Sequence, residues 1–112
     1  MTAEQDTSRK GYAIFQAEIT DWDTYLNEYV LPTTEIIKDH GGEVIISIPD
    51  PEVVEGEWDH SMTGVIEFPS IEDARACYND PAYEELKPIR HEVTEYANAI
   101  ICPGSSLDNP SG

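Results

Sequence analysis

Four side chains in this sequence could move a proton near neutral pH: the three histidines His40, His60 and His91, and one carboxylate set inside an apolar run, Glu67. Glu67 falls between Ile66 and Phe68, on the strand face of Thr63 and Val65. A carboxylate buried there has its pKa raised and can serve as a general base; otherwise it points to solvent past the sheet edge. His60 stands beside Trp58 and Asp59. It is either a solvated turn residue or a proton shuttle at a cavity mouth, since imidazole titrates near neutrality. His91 joins Lys87 and Arg90 in the one basic cluster of the chain. That cluster reads either as an anion site or as ion pairs with Glu84, Glu85 and Glu92. His40 suits the last turn of a helix. The catalytic candidates are therefore Glu67, His60 and His91. Tyr12, Tyr25, Trp58, Tyr78, Tyr83 and Arg90 are the candidates for binding a ligand, because phenols at a cavity mouth orient a ring-shaped molecule. Packing is the plainer account of the aromatic residues, Trp22 and Tyr29 included.

Other chemistries lack their residues. No His-x-His, His-x-x-x-His or Cys-x-x-Cys spacing occurs, so neither a metal nor a cofactor is expected. There is no G-x-S-x-G elbow, Cys77 has no histidine in sequence reach, and no glycine loop could cradle a phosphate.

The elements that must position these residues follow from periodicity. Gly64 to Pro88 is the organising stretch: a β-branched and aromatic strand through Phe68, stopped by Pro69, then a helix capped by Ser70 with Asp73 three residues on. That helix ends near Asn79. Asp80-Pro81 restarts a short one, which Pro88 is expected to close. Upstream, Gly11 to Thr20 alternates with period two, Ala13, Phe15, Ala17 and Ile19 on one face and Tyr12, Ile14, Gln16 and Glu18 on the other. Thr20 or Asp21 caps a helix carried by Trp22, Tyr25, Leu26, Tyr29, Val30, Thr33, Ile36 and Ile37, with a kink or restart expected at residues 30–32 before Pro32. Gly41-Gly42 ends it. Glu43 to Ile48 is a second strand, Glu52 to Glu55 a possible edge continuation before a turn at Gly56, Met62 to Phe68 a third strand and Ala97 to Cys102 a fourth. Residues 1–9 read as a flexible N-terminus, 10–102 as the domain and 103–112 as a disordered tail.

The order β-α-β-β-α-β is the ferredoxin-like plan, an α+β fold with a four-stranded antiparallel sheet and two helices on one face. Two helices cover one face only. The other still carries apolar groups, so the expected oligomer is a homodimer closing sheet against sheet into an α+β barrel.

Charge bounds the setting. The 112 residues hold 23 Asp and Glu against 6 Lys and Arg, a formal net charge of −17. The acids run from Glu4 to Asp108 rather than in a block. Such an excess self-repels at low ionic strength, and near-molar salt screens it over about 3 Å. The expectation is a protein of a halophile's cytoplasm; a nucleic-acid mimic or acidic interaction module would gather its acids on one face. Nucleic acid is an unsuitable partner, there being no basic stripe. No apolar run is long enough to span a membrane, no signal peptide is read at the start, and two cysteines suit a reducing compartment.

Several runs together resemble one family. EGEW at Glu55 to Trp58, VIEFPS at Val65 to Ser70, ARACYNDPAY from Ala74 to Tyr83 and KPIR at Lys87 to Arg90 are joined by KGY at Lys10 to Tyr12 and the GGEV turn at Gly41 to Val44. The chain resembles the DUF1330 family over residues 10–102. The resemblance implies a dimeric α+β barrel, in a superfamily that also holds small monooxygenases, isomerases and stress-responsive proteins. It implies no particular reaction. Relatives often carry an arginine shortly after the tryptophan; Met62 stands there instead, so any anion contact of that arginine does not carry over. The functional expectation is a small dimeric protein that binds a small organic ligand in a cavity between sheet and helices. The alternative is a cofactor-free monooxygenase- or isomerase-like enzyme using Glu67 and histidine as acid and base.

Overall fold

The computed structural model describes residues 9–58 and 62–105. Its elements are β1 (Gly11–Ile19), α1 (Trp22–Thr24), a π-helical turn (Tyr25–Val30), α2 (Leu31–Asp39), β2 (Glu43–Ile48), β3 (Met62–Phe68), α3 (Ile71–Tyr78), α4 (Pro81–Glu84), α5 (Lys87–Glu92) and β4 (Thr94–Pro103). The four strands form one antiparallel sheet in the order β2-β3-β1-β4. This is the expected ferredoxin-like α+β arrangement.

Local chemistry sets the helix ends. The Asp21 carboxylate accepts from the Thr24 N–H and starts α1. The Ser70 hydroxyl accepts from the Asp73 N–H at 3.1 Å, and itself donates to the Asp73 carboxylate at 3.0 Å. Asp80 caps α4 through the Ala82 N–H at 2.8 Å. These caps satisfy donors that the first turn cannot bond internally. Gly41 takes φ of 77° and stops α2 in the left-handed conformation. Gly11 is required by proximity: a Cβ there would lie 2.4 Å from the Ser70 carbonyl oxygen, so only glycine lets β1 pass the start of α3.

Four expectations change. α-Helical bonding does restart at Leu31, ahead of Pro32, but the break is a six-residue π-helical turn in which the Leu31 N–H reaches the Leu26 carbonyl. Pro88 does not close a helix. It sits in the first turn of α5, where its missing N–H costs nothing. Glu52 to Glu55 is not a strand; Val53 and Val54 are exposed, with no neighbouring strand to pair them. β4 also begins at Thr94, earlier than Ala97, and reaches Pro103, into the stretch read as tail. Arg9 and Gly104 are tied together, the guanidinium donating to the Gly104 carbonyl. The rest of both terminal segments lies outside the described residues.

Ala13, Ile66 and Phe68 of the sheet pack against Tyr25, Tyr29, Ile36, Ile37, Ala74, Cys77, Tyr83 and Val93. The helical layer thus covers one sheet face. Across the other face runs an apolar row, Val65 paired with Ile14 and Ile14 with Ile100. Ile100 is 58% exposed, and Ile45, Ile46 and Ile48 of β2 are exposed too. Among the described residues, no helix is long and apolar enough to cross a membrane.

Candidate functional site

The sheet presents small residues to the helices. Ala13 and Ala17 of β1, Gly64 of β3 and Ala97 of β4 leave space where sheet–helix packing usually places larger side chains. The result is a cavity of about 110 Å³ between sheet and helices. Phe15, Ile37 and Ile66 add apolar wall, while Tyr25, Tyr29 and Thr33 come from the helical run above.

Three of the lining residues, Tyr29, Tyr83 and Arg90, form a polar node. Tyr25 and Tyr29 stack with ring centroids 5.4 Å apart and planes 22° from parallel. The Tyr29 and Tyr83 hydroxyls are hydrogen-bonded to each other. The Arg90 Nη1 donates to the Tyr83 hydroxyl oxygen at 3.1 Å. The Phe15 ring lies 5.7 Å from the guanidinium carbon. Burial pushes the Tyr25 phenol up to about 12, and burial likewise raises Tyr29 and Tyr83, so all three stay neutral. Arg90 is 5% exposed. Burial opposes its charge, but the Tyr29 and Tyr83 phenols more than offset this and its pKa is raised. No carboxylate among the described residues is in ion-pair contact with it. Two buried side-chain atoms among the described residues have no hydrogen-bond partner: Arg90 Nε and Thr33 Oγ1. Both residues line this cavity.

The sequence-selected residues divide. Tyr25, Tyr78, Tyr83 and Arg90 line the cavity. Tyr12 and Glu67 are cross-strand partners on the opposite sheet face, where the Tyr12 hydroxyl donates to Glu67 at 2.9 Å and the Lys10 ammonium lies 3.9 Å away. That hydrogen bond, more than burial, raises the Tyr12 phenol. Glu67 is therefore not in the cavity, because the pleat alternates it with Ile66 and Phe68, which are. Trp58 is exposed and donates from Nε1 to the Thr63 hydroxyl at 2.7 Å. His91 is exposed on α5 and outside the cavity lining. His60 lies outside the described residues. His40 contacts Asp80 at 2.8 Å. The basic cluster is split: Lys87 pairs with Glu84 at 3.0 Å and sits 3.7 Å from the Tyr78 ring centroid, while Arg90 turns inward. Tyr29 and Thr33 belong to the site although the sequence reading left them as packing. The signal for them was the series Tyr25, Tyr29 and Thr33, each four residues from the last.

Residues 10–105 match the family described as a domain of unknown function, DUF1330. The chain belongs to the DUF1330 family. No curated protein matches it. Among solved structures it is similar to a protein of unknown function from Rhodopseudomonas palustris, with TM-score 0.65 and 16% identity over 90% of this chain and 88% of that one. A nipsnap family protein of unknown function from Agrobacterium tumefaciens gives TM-score 0.55 and 19% identity over 89% and 92%. A Nitrosomonas europaea protein, described provisionally as an antibiotic biosynthesis monooxygenase, gives 0.56 and 13% over 82% and 95%. At these identities the DUF1330 chain shares a fold with them.

Proposed function

We propose that this DUF1330 protein binds a small organic molecule in the cavity between sheet and helices, and does so as a homodimer. The observation that carries the reading is a mostly apolar chamber with a buried hydrogen-bonded node, Tyr29, Tyr83 and Arg90, in its wall. Ligand sites have that makeup: mostly apolar walls with a few fixed polar groups. A chamber of about 110 Å³ suits a single ring or short chain, given that an engineered cavity of about 150 Å³ takes up benzene. The homodimer reading is supported by the row Val65, Ile14 and Ile100 on the uncovered sheet face, a patch that water disfavours. The acids exposed on β2, on β4 and on every helical segment, from Asp23 to Glu95, support a salt-adapted protein over an acidic docking face. The unpaired thiols Cys77 and Cys102 support a reducing, cytoplasmic setting.

The test is thermal melting with a panel of single-ring and short-chain compounds. A true ligand at 100 times its Kd adds about 2.7 kcal/mol to stability. Ala17→Leu, which fills the chamber floor, must abolish the shift. A panel that moves neither protein ends the proposal.

A second reading follows from the Tyr12–Glu67 hydrogen bond. Sheet-to-sheet dimerisation would enclose that pair, making it the acid–base candidate of a cofactor-free enzyme; the Nitrosomonas europaea protein of similar fold is described provisionally as a monooxygenase. Under that reading Glu67→Gln ends turnover; under the first it leaves ligand binding unchanged.

A further inference from the structure

We infer that the cavity ligand is a monoanionic organic acid whose carboxylate is held by Arg90. The inference rests on the cavity being the binding site and specifies what it takes.

Thr33 and Arg90 are the buried residues, phenols and thiol aside, that carry polar side-chain atoms in the described interior. The same two residues supply the two buried side-chain atoms that lack a partner, and both line the same chamber. A buried charge normally has a counter-charge, and a buried hydroxyl normally has a hydrogen bond. Here neither is met, although the chain carries 23 acidic residues. The phenols do not substitute for an anion. Tyr83 accepts from Nη1 as a neutral dipole, and burial keeps Tyr25 and Tyr29 protonated. The guanidinium keeps its charge with no carboxylate among the described residues to meet it, and its planar fork suits a carboxylate.

Charge and lining narrow the class further. One cation among neutral phenols balances one negative charge, so a phosphate monoester or dicarboxylate would bring a second, unpaired charge into a chamber walled by Phe15, Ile37 and Ile66. The same walls reject the hydroxyl-rich skeleton of a sugar acid. A single-ring or short-chain monocarboxylate remains.

The experiment titrates the full-length protein with benzoate and hexanoate, and with benzamide and hexanamide as neutral matches in shape, by calorimetry. The wild type should bind the acids at least tenfold more tightly than their amides. Arg90→Met should bring that ratio to about one or below, with circular dichroism checking that it is folded. Because the acid-to-amide ratio is also read in the wild type alone, the result does not depend on the variant folding. Equal or tighter binding of the amides overturns the carboxylate assignment while leaving an organic-ligand site in place. Silence from all four compounds overturns both this inference and the cavity reading beneath it.

Discussion

Arg90→Met is the substitution whose magnitude decides most. In the ligand-free protein Arg90 is 5% exposed and meets no carboxylate among the described residues. An ion buried without a counter-charge costs several kcal/mol even after relaxation. Against that stand one hydrogen bond to Tyr83, worth about 1.5–3 kcal/mol for a charged donor, and the Phe15 ring, worth about 2 kcal/mol to a desolvated cation. The two sides nearly cancel, in keeping with the raised Arg90 pKa. Methionine keeps the length of the stem and adapts to irregular space, and Tyr83 keeps its bond to Tyr29. Arg90→Met should therefore change the stability of the free protein by no more than about 1 kcal/mol, a Tm shift within about 4 °C for a domain of this size. Protein refolded from denaturant, so that no ligand is carried along, is melted thermally and in urea. A loss of about 3–5 kcal/mol is what removing one partner from a buried pair costs. That result would mean the guanidinium has its own structural counter-charge, and the case for a waiting anion site would collapse.

Other substitutions read other parts of the molecule. Gly64→Ala adds a Cβ that meets its nearest neighbour, the Ile46 carbonyl, at 3.7 Å, so it should raise stability by about 0.4–1 kcal/mol while shrinking the chamber and weakening ligand binding; unchanged affinity by calorimetry would move the site elsewhere. Asp80 is held below the ordinary carboxyl pKa first by its hydrogen bond with His40 and then by the Ala82 N–H. Its contribution is present above the unfolded pKa, about 3.9, and is lost as pH falls through the lower folded value; Asp80→Asn should flatten the fall in Tm over that acid range, and an unaltered slope would count against the pairing. Ile100→Asp, at the β4 end of the exposed apolar row, should convert a dimer to monomers by light scattering in high salt; a dimer that persists excludes that face as the interface. Dialysis from near-molar to millimolar salt should lower the Tm as the charge of −17 loses its screening, and a constant Tm would end the salt-adaptation reading.

What could be read before folding was whatever a few neighbouring residues decide. The alternation of Ala13, Phe15 and Ala17 marks one face of β1, and the Ser70 and Asp80 caps announce α3 and α4, because cap and first turn lie three residues apart. Pro88 misleads because proline both ends a helix and opens one. Which it does depends on whether its missing N–H falls in a first turn. Val53 and Val54 have strand character, but a strand needs a partner that no local pattern supplies. Glu67 was legible to the face, on the side of Thr63 and Val65, yet the helices cover the other side. Arg90 was the hardest to place. In KPIRHE it reads as one charge of a surface cluster, and only its spacing of seven from Tyr83, two helical turns, hints that both share an inward stripe.

The chamber persists because its roof is tied at the node rather than filled from its floor. Ala13, Ala17 and Gly64 offer too little side chain to close the gap, and a collapsed roof would bury more apolar surface. The Tyr29–Tyr83 bond links the π-helical turn to α4, and the Arg90–Tyr83 bond brings in α5, so three helical segments meet over the gap. The π-helical turn is part of that arrangement, setting Tyr25 and Tyr29 side by side over the sheet. A node built for strength alone would have every donor matched, as the caps of α1, α3 and α4 are. This one leaves Arg90 Nε unmatched and its charge without a carboxylate among the described residues. Natural sequences break such local rules chiefly where function requires it, and a carboxylate seated against the guanidinium would supply the missing charge.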